Sequence, residues 1–106
     1  MIDQGTLRSL REKRFFITWD GEVDSEHIES AEDIMRQLVD ALLAGGTELT
    51  EDIARANVDA CVQRFNELDD GWICTIERED ICEQIENVID ACGYDFEEDW
   101  RDKRDW

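Results

Sequence analysis

The sequence predicts an all-α fold, a small antiparallel helical bundle of three long helices with short terminal helices, and three observations carry that expectation. Apolar residues recur at three- and four-residue steps over three separate stretches. Each stretch opens on a capping residue and closes at or near glycine, and no proline interrupts any of them. None of the three apolar stripes can be buried alone, so the helices must pack on one another. At 106 residues and 42% hydrophobic content, residues 1–106 suit one domain with one core of modest size.

In chain order, "TLRSLREKR" reads as a short N-terminal helix. "FFITW" (Phe15–Trp19) follows, and its aromatic and β-branched content is that of a short strand. In "SEHIESAEDIMRQLVDALLAGG" Ser25 is a good cap, Ile28, Ala31, Met35, Leu38 and Leu42 form the stripe, and Gly45 with Gly46 supplies the stop. In "LTEDIARANVDACVQRFNELDDG" Thr50 can cap, and Ala54, Val58, Cys61, Phe65 and Leu68 share a face that ends near Gly71. "WICTI" (Trp72–Ile76) is a second strand-like run, so a two-stranded ribbon with Phe15–Trp19 is the alternative to irregular connections. In "TIEREDICEQIENVIDACG" Thr75 can cap, acids occupy the first turn where the helix dipole favours them, and Ile81, Ile85, Val88 and Cys92 precede Gly93. Asp95 can cap a last helix in which Phe96 and Trp100 share a face.

Charge excludes several function classes. The chain has 29 Asp and Glu against 11 Lys and Arg, a formal net charge of −18. Such a balance removes the attraction that drives binding to phosphate backbones or anionic lipid, so direct nucleic-acid and membrane binding are not expected. With no apolar run that reads as a signal peptide or a membrane span, the expected location is cytoplasmic. The charge is also uneven. Residues 1–19 carry four bases against two acids for +2, residues 20–99 four bases against 25 acids for −21, and residues 100–106 three bases against two acids for +1. Both ends are therefore expected to fold back on the acidic body.

The four cysteines show no C-x-x-C spacing, and Cys61, Cys82 and Cys92 fall among apolar helix positions; all four, Cys74 included, are expected to be reduced and buried. His27 is the single histidine, which excludes two-His zinc and paired E-x-x-H di-iron sites within one chain. No nucleophile–base pair can be assembled from the motifs present. The expectation is a non-enzymatic protein without a metal or other cofactor.

One loop pattern competes. "NELDDGWICTIE" (Asn66–Glu77) has Gly at the sixth position and Glu at the twelfth, as in an EF-hand loop, but Leu68 stands where a carboxylate should coordinate and Asn66 replaces the first Asp. A degenerate EF-hand-like, calcium-responsive module relying on Asp70 and Glu77 is one alternative; an ordinary helix–turn–helix connection is preferred.

"RFNEL" at 64–68, "REDICEQIENVIDACGY" at 78–94 and the Arg-Asp-Trp at 104–106 together resemble an uncharacterised bacterial family of small acidic helical proteins, a domain of unknown function. The likeness covers about residues 50–106. The N-terminal third departs from it, lacking the proline-containing segment expected before the first long helix. The resemblance implies a mainly helical fold and brings no catalytic residues.

Two features remain as candidate partner-binding sites. Glu79, Glu83, Glu86 and Asp90 recur at i, i+4, i+7 and i+11, opposite the apolar stripe of their helix, and form a carboxylate ladder about 16 Å long. Like charges at this spacing repel by a few tenths of a kcal/mol per pair. The ladder's spacing is comparable with that of charges along a nucleic-acid strand, and such a surface suits a basic groove. Trp100 and Trp106, flanked by Arg101, Lys103 and Arg104, are either a latch that closes the core or an interface hot spot; the latch is the preferred reading. The expected function is thus an immunity- or inhibitor-type acidic protein that covers a basic protein partner, a nuclease or toxin. The alternative is a nucleic-acid mimic that blocks a defence or nucleic-acid-handling complex. Adaptation to high salt would explain the composition without any partner.

Overall fold

The computed structural model describes residues 3–93, 98–104 and 106, with no description of the side chains of Thr47, Glu98 and Asp99. Among them are four α-helices and no strand: α1 (Gln4–Glu12), α2 (Ser25–Gly45), α3 (Glu51–Leu68) and α4 (Thr75–Cys92). Three 3-10 segments, Ile17–Trp19, Gly46–Glu48 and Glu98–Lys103, join or follow them. The all-α expectation holds.

The helix ends follow side-chain chemistry, with two shifts from the sequence reading. Asp3 caps α1 by accepting from the Thr6 N–H at 3.0 Å, and Thr50 caps α3 by accepting from the Ile53 N–H at 3.2 Å. Ser25 is the first residue of α2 and the cap position falls on Asp24. At α4 the cap is Cys74 and Thr75 is already helical, because Glu77 reaches back to accept from the Cys74 N–H at 3.1 Å. Gly93 ends α4 in the left-handed region, at φ 75°, which glycine adopts without a Cβ penalty.

Helix α2 packs on all three other helices, and α1 also packs on α4. The short connection through Gly46–Glu48 turns the chain back, so that α2 and α3 make the most extensive contact. The stripe residues Ile28, Ala31, Met35, Leu38, Leu42, Ala54, Val58, Cys61, Phe65, Ile81, Ile85, Val88 and Cys92 are all buried, while Leu68 is half-buried at the rim. Burial pushes the Cys61 thiol up to about 12 and the Cys92 thiol up to about 11, as expected for core thiols. Cys82 is buried as well. Cys74 departs from expectation and is exposed, because the cap position lies outside the apolar face.

No ribbon joins Phe15–Trp19 to Trp72–Ile76. Carboxylates take the backbone donors that a ladder would have needed. The Phe15 and Phe16 N–H groups donate to the two oxygens of Glu32 at 2.8 and 2.9 Å, and the Ile73 and Cys74 N–H groups donate to Asp69 and Glu77. The two segments meet through their rings instead. Phe16 stacks on Trp19 with centroids 4.1 Å apart, Trp19 meets Trp72 edge-on at 5.8 Å, and His27 stacks on Trp72 at 4.5 Å.

Both ends return to the acidic body. Arg11 pairs with Asp40 on α2, the Asp3 N–H donates to the Ala91 carbonyl at the end of α4, and Lys103 pairs with Asp59 on α3.

Candidate functional site: the outer face of α4 and the C-terminal segment

Residues facing away from the core on α4 are set by the same 3.6-residue period that buries Ile81, Ile85 and Val88. Glu79, Glu83 and Asp90 are exposed on that face, and Glu86 is partly covered at its edge. Glu86 pairs with Arg101 from the C-terminal segment. The four predicted ladder residues therefore divide into three open carboxylates and one neutralised in cis. Among the described residues Glu79, Glu83 and Asp90 have no ion-pair partner, whereas Asp20, Glu32, Asp33, Asp40, Glu51, Asp59 and Glu86 each have an Arg or Lys within reach.

The C-terminal segment is placed as a latch. Trp100 is 3% exposed and belongs to the core, so its ring is not presented to a partner in this conformation. Trp106 is half-buried, edge-on to Phe65 at 5.9 Å, with the Arg104 guanidinium 5.1 Å from its ring centre. Asn66 of α3 donates to the Lys103 carbonyl at 2.9 Å, and the Lys103 ammonium donates to Asp59 Oδ2 at 2.7 Å. The proposed helix cap at Asp95, and Phe96, lie outside the described residues. Where the segment crosses α4, Arg78, Arg101 and Arg104 meet Glu79, Glu83 and Glu86 around a shallow cleft of about 240 Å³.

The fit of the latch is incomplete. Asp59 Oδ1, Arg101 Nε and Trp106 Nε1 are buried in this contact without a hydrogen-bond partner. A buried unpaired polar group costs about 1–3 kcal/mol, enough to offset much of what the half-buried Trp106 ring contributes.

The EF-hand-like residues do not converge. Asn66 turns toward the C-terminal segment, Glu77 caps α4, and Asp69 Oδ1 accepts from the Gly71 N–H at 2.9 Å, while Asp70 points to solvent. Among the described residues no group of three or more His, Cys, Asp or Glu side chains is placed to hold a metal ion. Among the described residues no helix is long and apolar enough to cross a membrane.

Three acids that the sequence reading passed over turn out to organise the molecule. Glu32, 2% exposed, clamps the Phe15 and Phe16 N–H groups with Arg14 3.9 Å away; its signal was an acid four residues after Ile28, inside the apolar face. Asp80 accepts from the Trp19 indole N–H at 2.8 Å, and Asp59 receives Lys103. Arg14, Asp20, Glu29, Glu32, Asp33 and Arg36 border a cleft of about 480 Å³, but its charges are largely spent on one another through Arg14–Asp20 and Arg36–Asp33.

Comparison with protein-family models, with curated proteins and with solved structures returned no match.

Proposed function

We propose that this chain is a non-enzymatic acidic binding protein, of immunity or inhibitor type, that covers a basic surface of a protein partner with the outer face of α4. The observation that supports the reading is the alignment of three carboxylates on one helix face. Among the described residues Glu79, Glu83 and Asp90 share with other exposed acids the lack of an ion-pair partner, and they are brought into one row by the period of α4. Glu79 and Glu83, one turn apart, repel at a cost of a few tenths of a kcal/mol, and Asp90 lies two turns beyond Glu83 on the same face. A groove rich in Lys and Arg would relieve this repulsion and would steer the encounter over a Debye length or more. A nuclease or toxin with a phosphate-binding groove has the matching chemistry. The nucleic-acid-mimic reading uses the same face and differs only in the partner, a nucleic-acid-handling complex instead of a toxin. The likeness of residues 50–106 to a family of small acidic helical proteins is part of this proposal and adds no site.

The test compares the wild-type chain with a Glu79→Gln, Glu83→Gln, Asp90→Asn variant against a basic partner recovered at low salt. The variant should fold at least as well, since the substitutions remove repulsion. Its affinity should fall at least tenfold, mainly through slower association, and should depend less on salt. Equal affinity and equal salt dependence for the two chains would remove the α4 face from consideration.

A further inference from the structure

We infer that the cleft between the start of α2 and the α3–α4 connection receives one arginine side chain of a protein partner, at a contact separate from the outer face of α4 and independent of it. Glu22, Val23, Asp24, His27, Trp72 and Glu77 border this cleft, which holds about 190 Å³. That is below the roughly 300–1,000 Å³ of sites that enclose a cofactor or drug-sized ligand, and it fits a single side chain. Helical geometry places Glu77 about 120–160° round α4 from Glu79, Glu83 and Asp90, so the cleft and the carboxylate row lie on different sides of that helix.

Two kinds of wall meet here. One is aromatic and flat: His27 lies on Trp72 with ring planes 8° from parallel, and the Trp72 indole N–H is fixed by donating to the Leu68 carbonyl at 3.3 Å. Both rings are half-buried and border the cleft. The other wall is anionic. Asp24 occupies the cap position of α2, yet its carboxylate makes no capping bond, and Glu22 is exposed without an ion-pair partner among the described residues. Glu77 accepts from the Cys74 N–H through Oε1 alone. No base of this chain borders the cleft, whereas the larger cleft beside α2 is supplied with Arg14 and Arg36 for Asp20 and Asp33. Among the described residues no three such side chains are placed to hold a metal ion, so the carboxylates do not converge on a point charge. A guanidinium meets both walls at once, because its face stacks on rings while the N–H groups at its edge donate to carboxylates; an ammonium offers no such plane.

The experiment titrates the full, nitrogen-15-labelled chain with N-acetyl-arginine amide at constant ionic strength and follows the four indole N–H resonances and the His27 ring by NMR. The Trp72 and His27 signals should shift and saturate in the millimolar range, with the Trp100 signal unmoved as a report on the core. N-acetyl-lysine amide should bind at least threefold more weakly. Glu22→Gln with Asp24→Asn should weaken the arginine probe at least fivefold without harming the fold, since Asn serves as well as Asp at a cap position. His27→Ala, which removes half of the stack and leaves the acids, should weaken it as well. The Glu79→Gln, Glu83→Gln, Asp90→Asn variant should bind the probe like the wild type, which separates this cleft from the outer face of α4. A Trp72 signal that shifts without saturating, or equal affinity for the lysine probe, would overturn the arginine site. So would a loss of binding that is as large in the α4 variant as in Glu22→Gln, Asp24→Asn, because that pattern belongs to diffuse attraction by net charge.

Discussion

Glu32 is the residue on which the N-terminal third turns. A carboxylate at 2% exposure is tolerated because both its oxygens receive backbone N–H groups and Arg14 stands near. Glu32→Gln keeps the shape but presents an amide NH2 where one of those N–H groups needs an acceptor. The expected cost is about 1–3 kcal/mol. For a domain of this size that lowers the melting temperature by roughly 4–8 °C per kcal/mol, measurable by circular dichroism. A melting curve unchanged by the substitution would mean that the Phe15 and Phe16 N–H groups find acceptors elsewhere.

The helices were the most legible elements. Their period, Thr50 and Gly93 could be read directly from residue spacing, and every predicted stripe residue except Leu68 is fully buried. The connections were harder. Phe15–Trp19 and Trp72–Ile76 looked like strands because aromatic and β-branched side chains suit both a pleated surface and a packed loop, and only long-range acids such as Glu32 decide between them. The spacing of the ladder was legible too, but the capture of Glu86 by Arg101 was not, since nothing local says where a chain end will lie. The C-terminal 3-10 segment gives this scale its prediction. Trp100→Ala should destabilise by about 3–5 kcal/mol as a buried aromatic, while Trp106→Ala should cost much less because its ring is half-exposed and its indole N–H already lacks an acceptor. Chemical denaturation of the two variants checks the ranking. Equal losses would make Trp106 as much an anchor as Trp100.

At the scale of the molecule, a formal charge of −18 opposes compaction at neutral pH. Raising ionic strength should therefore raise the melting temperature, and so should acidification from pH 7 toward about 5, as repulsion is relieved. Below that the sign reverses. Asp3, bound by the Thr6 hydroxyl and N–H, and Asp20, bound by Arg14, are held below the usual carboxylate range in the folded state. Their contribution is present above the unfolded-state value and is lost as pH falls through the lower folded value, so melting temperature against pH should pass through a maximum. Loss of helix content in dilute neutral buffer would instead point to a chain adapted to high salt. A further consequence lies in the bond from the Asp3 N–H to the Ala91 carbonyl, which joins the first described residue to the end of α4. The α2–α3 hairpin can assemble from neighbouring sequence, whereas α1 packs on both α2 and α4, so its seat is complete only once α4 has docked. α1 should therefore be the last helix to dock, and substitutions at its buried Leu7 should act mainly by speeding unfolding, leaving the rate of folding little changed.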